Sequence, residues 1–110
     1  MKVREGFVSN SSSSSFLITN TSGKTKTLVD FVEENPQLVE RFNWQYDYKH
    51  TQEEMLEGAK DLGVEFSPGE EKKCVFGDED GTVIGKVFDY ILRGGGRSDS
   101  FSWHFGEFYR

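Results

Sequence analysis

The spacing of hydrophobic residues along the chain predicts helices and strands that together form a single domain. Apolar residues recur at helical spacing in four stretches. We expect helices over residues 27–34, 36–46, 51–62 and 82–93. Alternating patterns and short apolar runs predict strands over residues 2–8, 16–19, 72–76 and 101–105. This order favours one α+β domain over residues 1–110, with about four helices packed on a small, mainly antiparallel sheet.

The third predicted helix has the clearest boundaries. Thr51 and Glu54 have the spacing of a capping box, in which each side chain accepts the other residue's backbone N–H. Gly63 follows the last apolar residue, at a position where a left-handed helix cap favours glycine. Thr25 or Thr27 is expected to cap the first helix in the same way.

The most unusual stretch of the chain is a run of serines between two apolar anchors. Phe7 precedes the run and Phe16 follows it, so we expect a loop over residues 9–15 whose ends are held by these side chains. Hydroxyl and N–H groups in such a loop can bind a small anion, with Arg4, Arg93 or Arg97 as the countercharge. The expected binding serines are Ser11, Ser12, Ser13, Ser14 and Ser15. A phosphorylated tract and an exposed flexible loop are the alternatives.

The residues around the serine run carry a resemblance to known proteins. The segment RxGFVSNSSSSSF at residues 4–16 resembles the N-terminus of small uncharacterised proteins of bacteriophages and some bacteria. The resemblance covers about a dozen residues and implies a phage-type origin, without any catalytic residues. Small phage accessory proteins often bind host proteins, so by analogy a host protein is the expected partner.

A second motif, DEDGTV at residues 78–83, resembles the DxDGT motif of haloacid-dehalogenase-like phosphatases. The resemblance implies that Asp78 is the nucleophile, that Asp80 is the acid/base, and that both help to hold Mg²⁺. Gly77 interrupts the strand that should precede the motif, and the chain that follows is too short for the family's core. The alternative is a tight acidic turn whose charges favour the N-terminus of the next helix.

Two groups of aromatic residues are candidates for ligand stacking. One contains Trp44, Tyr46 and Tyr48, and the other lies around Trp103 in the last strand. Exposed rings stack on nucleobases, and Trp and Tyr also anchor protein interfaces. The favoured alternative is that most of these rings fill the core, because a small domain needs large apolar side chains there.

Charge and composition exclude several classes of function. The chain has 110 residues, with 13 Lys and Arg against 19 Asp and Glu, a formal net charge of −6. Binding to nucleic acid is therefore unexpected, because it depends on basic residues that neutralise phosphates. Cys74 is the only cysteine, so no disulfide framework is expected. With only His50 and His104 as further soft ligands, no metal site is predicted, and no cofactor.

We expect a cytoplasmic protein, since the sequence has neither a recognisable secretion signal nor a run of about 18 apolar residues that would span a membrane. The leading hypothesis is a small accessory protein that binds a protein partner through its acidic third helix or its serine loop. No catalytic chemistry is assigned to it. The alternative is a phosphate-ester or nucleotide site built from the serine loop, Asp78 and Asp80.

Overall fold

Helices cover one face of an antiparallel sheet in this protein, whose computed structural model describes residues 13–77 and 82–109, without the side chains of 108 and 109. The strands are β1 (Ser13–Asn20), β2 (Lys26–Thr27), β3 (Glu65–Phe66), β4 (Glu71–Gly77), β5 (Gly96–Arg97) and β6 (Phe101–Tyr109). The helices are α1 (Leu28–Glu34), α2 (Gln37–Tyr46), α3 (Gln52–Leu62) and α4 (Val83–Ile91), which continues into a 3₁₀ turn at Leu92–Gly94. This arrangement confirms the α+β fold.

The main sheet is built around β1. Its four strands lie in the order β4-β1-β6-β5 and all neighbours are antiparallel, while β2 and β3 form a separate two-stranded ribbon. Phe16 of β1 lies between Cys74 of β4 and Phe105 of β6. The register shifts after Ser15, which leaves Gly106 of β6 as an extra residue. A Cβ at Gly106 would lie 2.5 Å from the Ser15 hydroxyl, so only glycine fits this bulge.

The core lies between the sheet and the helices, and Phe31 of α1 is at its centre. The Phe31 ring packs edge-to-face on Phe88 of α4 and on Phe101 and Trp103 of β6, with ring centroids 5.1 to 5.5 Å apart. All four side chains are buried. These contacts fix α1 and α4 against the same face of the sheet.

The helix boundaries follow the local capping signals. Thr27 caps α1 and forms a capping box with Asp30. Thr51 and Glu54 form the predicted capping box of α3, and Gly63 ends that helix with a φ of +62°. The predicted caps of α1 and α3 are therefore confirmed, with Thr27 rather than Thr25 at the start of α1.

The predicted loop over residues 9–15 is wrong for its last three residues. Ser13, Ser14 and Ser15 are buried and form the start of β1, between β4 and β6. Serine has no preference for strands, but both edges of this segment pair with neighbours, and the ladder hydrogen bonds outweigh propensity. Residues 9–12 lie outside the described part of the chain, as does the strand predicted at residues 2–8.

Candidate functional site

A groove between α1 and α3 forms a surface cavity in the described part of the chain. Its volume is about 630 Å³. Its lining residues are Val29, Glu33, Thr51, Glu53, Glu54, Leu56, Glu57 and Lys60. We call it the acidic groove, because four of the eight are glutamates against one lysine.

Two contacts fix the position of α3, one wall of the acidic groove. The Gln52 side chain at the start of α3 donates a hydrogen bond of 2.8 Å to the backbone carbonyl of Val32 in α1. On its other side α3 crosses α4 so closely that a Cβ at Gly58 would lie 2.7 Å from Cγ2 of Ile84. The tether holds α3 against α1, and the glycine lets α3 approach α4. The groove is therefore preformed.

The floor of the acidic groove is apolar. Val29 and Leu56 are half-buried and pack against the core from α1 and α3. The glutamates line the groove beside these two residues. Glu53 and Glu57 are four residues apart on α3, so they lie on one side of that helix. Glu33 comes from α1. In the described part of the chain, none of these three carboxylates forms an ion pair.

Glu54 differs from the other three glutamates because it is part of the α3 cap. Its carboxylate accepts a hydrogen bond of 2.9 Å from the Thr51 N–H and lies 3.7 Å from Nδ1 of His50. The hydrogen bond from the Thr51 backbone, chiefly, lowers the pKa of Glu54. Glu54 is therefore negatively charged at neutral pH, and its side chain is held at the start of α3 by the capping box.

The three residues of the serine run that the structure describes, Ser13, Ser14 and Ser15, are buried. Ser14 donates a hydrogen bond of 2.7 Å from its hydroxyl to the Asp89 carboxylate of α4. The Ser15 hydroxyl accepts the backbone N–H of Glu107 at 3.0 Å. A phosphate bound at Ser14 would face a carboxylate, which is unfavourable to an anion. Ser11 and Ser12, with Arg4, Asp78 and Asp80, lie outside the described residues.

Asp89 is a buried acid that the sequence reading missed. It has no solvent exposure, and Arg93 one turn later donates hydrogen bonds to both its carboxylate and its backbone carbonyl. The second carboxylate oxygen, Oδ2, has no partner within the described residues. The four-residue spacing of Asp89 and Arg93 in an apolar helix was the available signal. The pair stabilises the buried Ser14 hydroxyl and therefore the start of β1.

The aromatic candidates divide between core and surface. Trp103 is buried against Phe31, and a Cβ at Gly96 in β5 would lie 2.6 Å from its ring, so the structure places Trp103 in the core rather than on an exposed platform. Arg97 is exposed on β5. In contrast, Trp44 of α2 is 86% exposed, and it does not line the acidic groove.

Comparison of the chain with protein-family models, with curated proteins and with solved structures gave no significant match. In residues 13–77 and 82–109, no group of three or more His, Cys, Asp or Glu side chains is placed to hold a metal ion. No helix of this same part of the chain is both long enough and apolar enough to cross a membrane.

Proposed function

We propose that this protein is a binding module whose acidic groove takes up a basic, amphipathic segment of a partner protein. The observation that carries the proposal is the groove between α1 and α3, in which glutamates surround the apolar floor of Val29 and Leu56. The resemblance of residues 4–16 to small bacteriophage proteins supports a host protein as the partner and the host cytoplasm as the compartment.

Charge complementarity selects the occupant. Glu33, Glu53 and Glu57 have no ion-pair partners among the described residues, so their charges are available to lysine or arginine side chains of a partner. Because these groups are near the surface, attraction between them and a basic partner is screened by salt. The proposal therefore requires binding that weakens as ionic strength rises.

The apolar floor selects the shape of the occupant. Val29 and Leu56 offer a narrow strip of hydrophobic surface between two helices, and this matches a row of apolar side chains along one face of a third helix. A partner helix with leucines on that face and lysines beside them satisfies both the floor and the glutamates. An acidic or uniformly polar segment satisfies neither.

The test uses a synthetic amphipathic peptide of about 14 residues, roughly four helical turns, with leucines on one face and lysines on the other. We expect calorimetric titration of the full chain to show binding at about 50 mM salt and at least a tenfold weaker affinity at about 500 mM salt. A peptide with the same leucines and with glutamates in place of lysines should not bind.

Paired variants locate the site. Glu53→Lys combined with Glu57→Lys should weaken binding of the basic peptide at least tenfold, whereas Glu40→Lys on the outer face of α2 should leave it unchanged apart from the small effect of net charge. Glu54 is left intact because its replacement would remove the α3 cap. Equal loss in the groove variant and in the Glu40 control would contradict the proposal.

A further inference from the structure

A second groove runs along the outer edge of the main sheet and has a different chemistry. Its volume is about 550 Å³, and its walls are residues 72–76 of β4 and residues 62–65 at the end of α3 and the start of β3. We call it the strand groove. We propose that the strand groove binds an extended segment of a protein partner, which pairs with β4 as an additional antiparallel strand.

The position of β4 in the sheet supports this proposal. In the strand order β4-β1-β6-β5, β4 is an edge strand, and within residues 13–77 and 82–109 its only strand partner is β1. An edge strand presents alternate backbone N–H and C=O groups on its outer side, and these groups bind an extended segment through main-chain hydrogen bonds. The strand groove is lined by residues 72–76 of β4 itself, so a segment bound there lies along this strand.

The side chains of the strand groove are suited to an apolar strand. Leu62 and Val75 are 50% and 47% exposed and line its opposite walls. Burial raises the pKa of the Cys74 thiol to about 11, so this side chain is neutral and behaves as a small apolar group. A partner strand with adjacent apolar residues can cover Cys74 on one face of the sheet and Val75 on the other.

Charge at the end of the strand groove defines the occupant further. Lys72 lies two residues before Cys74, so its side chain projects on the same face of the sheet, where its ammonium lies 5.9 Å from the centre of the Phe66 ring. A carboxylate on the partner strand opposite Lys72 forms a favourable cross-strand pair. The expected partner segment is therefore extended and has four residues in this order: apolar, apolar, any residue, acidic. Paired antiparallel to β4, its two apolar residues lie opposite Val75 and Cys74, and its acidic residue lies opposite Lys72.

The same charge argues against a second copy of this chain as the occupant. In a pairing of two β4 strands centred near Cys74, Lys72 has no carboxylate opposite it in the other copy, because the β4 sequence is EKKCVFG and its single glutamate lies at one end. Lysine on an edge strand is a common protection against such self-pairing. A partner with its own acidic residue removes this conflict.

The probe is the capped hexapeptide Thr-Val-Val-Thr-Glu-Thr, which carries the expected pattern for antiparallel pairing. We expect it, at up to about 1 mM, to slow hydrogen exchange of outward-facing amides of β4 in the full chain. Two N-methylated versions of the peptide are compared, and each lacks the N–H donors of one set of alternate residues. This comparison distinguishes binding by main-chain pairing from binding by side-chain contact alone. One version should lose binding and the other should keep it, because only one edge of the peptide faces β4.

Variants test the charge pair. Lys72→Glu should weaken peptide binding about fivefold, and replacing the peptide's glutamate with lysine should restore it. Lys24→Glu, in the exposed turn after β1, is the matched control and should change nothing. The proposal is overturned if β4 amides stay unprotected, if both methylated peptides bind equally, or if the chain forms a dimer that alone protects β4.

Discussion

The acidic groove and the strand groove have similar volumes, about 630 and about 550 Å³, but they are built from different parts of the polypeptide. The acidic groove lies between two helices, whose backbone hydrogen bonds are satisfied internally, so only side chains can recognise a partner there. The strand groove lies beside β4, an edge strand among the described strands, and the proposal there relies on main-chain pairing. The two proposals therefore differ in what they require of a partner: the acidic groove requires side-chain charge and the strand groove requires main-chain pairing.

The largest expected effect on stability comes from removing the Phe31 ring, which packs α1 against α4 and the main sheet. Phe31→Ala should lower the free energy of unfolding by about 3–5 kcal/mol, because the ring contacts Phe88, Phe101 and Trp103 and leaves a cavity between α1 and the sheet. Denaturant unfolding followed by circular dichroism measures the loss. A change below about 1 kcal/mol would mean that α1 does not depend on this contact for its position.

An exchange experiment separates the two grooves from each other. The Glu53→Lys and Glu57→Lys double variant should lose about tenfold, or about 1.4 kcal/mol, in affinity for the basic peptide and nothing for the hexapeptide. Lys72→Glu should show the reverse selectivity. Both variants are titrated with both peptides by calorimetry. If each variant changed both affinities by the same factor, net charge rather than two local sites would explain binding.

A smaller effect concerns Glu34, which anchors the turn between β5 and β6 beside the end of α1. Burial raises its pKa, but hydrogen bonds from the Ser98 hydroxyl and the Ser100 N–H outweigh burial and lower the pKa below its usual 4.5. Because the pKa of Glu34 is lower in the folded state, its charge stabilises the protein at pH values above the pKa of the unfolded state. This stabilisation is lost as the pH falls through the pKa of the folded state.

Glu34→Gln should therefore cost about 1 kcal/mol at neutral pH. The difference from the unmodified protein should shrink as the pH falls below 4.5. Urea unfolding of both proteins across this pH range measures the difference. A difference that stays constant with pH would show that the glutamate's charge has no part in holding the turn.

The smallest effect is expected at Trp44. Its side chain is 86% exposed on α2 and lines neither groove. Trp44→Ala should change the free energy of unfolding by no more than about 0.5 kcal/mol and leave both peptide affinities unchanged. Weaker binding of either peptide, measured by the same titrations, would extend that groove's contact surface to α2.

The candidate site was only partly visible in the sequence. The acidic character of α3 could be predicted, because Glu53, Glu54 and Glu57 lie close together in a helix with a recognisable cap. Its pairing with α1 could not, because Val29 and Leu56 are far apart in the chain and line one cavity only in the folded protein. The strand groove could not be predicted from the sequence for a similar reason, because only the order of the strands in the sheet makes β4 an edge strand.

By itself the sequence determined the local elements and their chemistry. The capping residues Thr27 and Thr51, the stop at Gly63 and the alternation at the end of the chain depend on neighbours a few residues away, and these signals predicted the observed elements. The tertiary structure alone decided the conformation of residues 13–15, the described end of the serine run. Residues 13–15 are a strand because β4 and β6 pair with both of their edges and because the Asp89 carboxylate, 75 residues from Ser14, accepts the Ser14 hydroxyl. Such long-range hydrogen bonds outweigh local propensity when they satisfy polar groups that would otherwise be buried without partners.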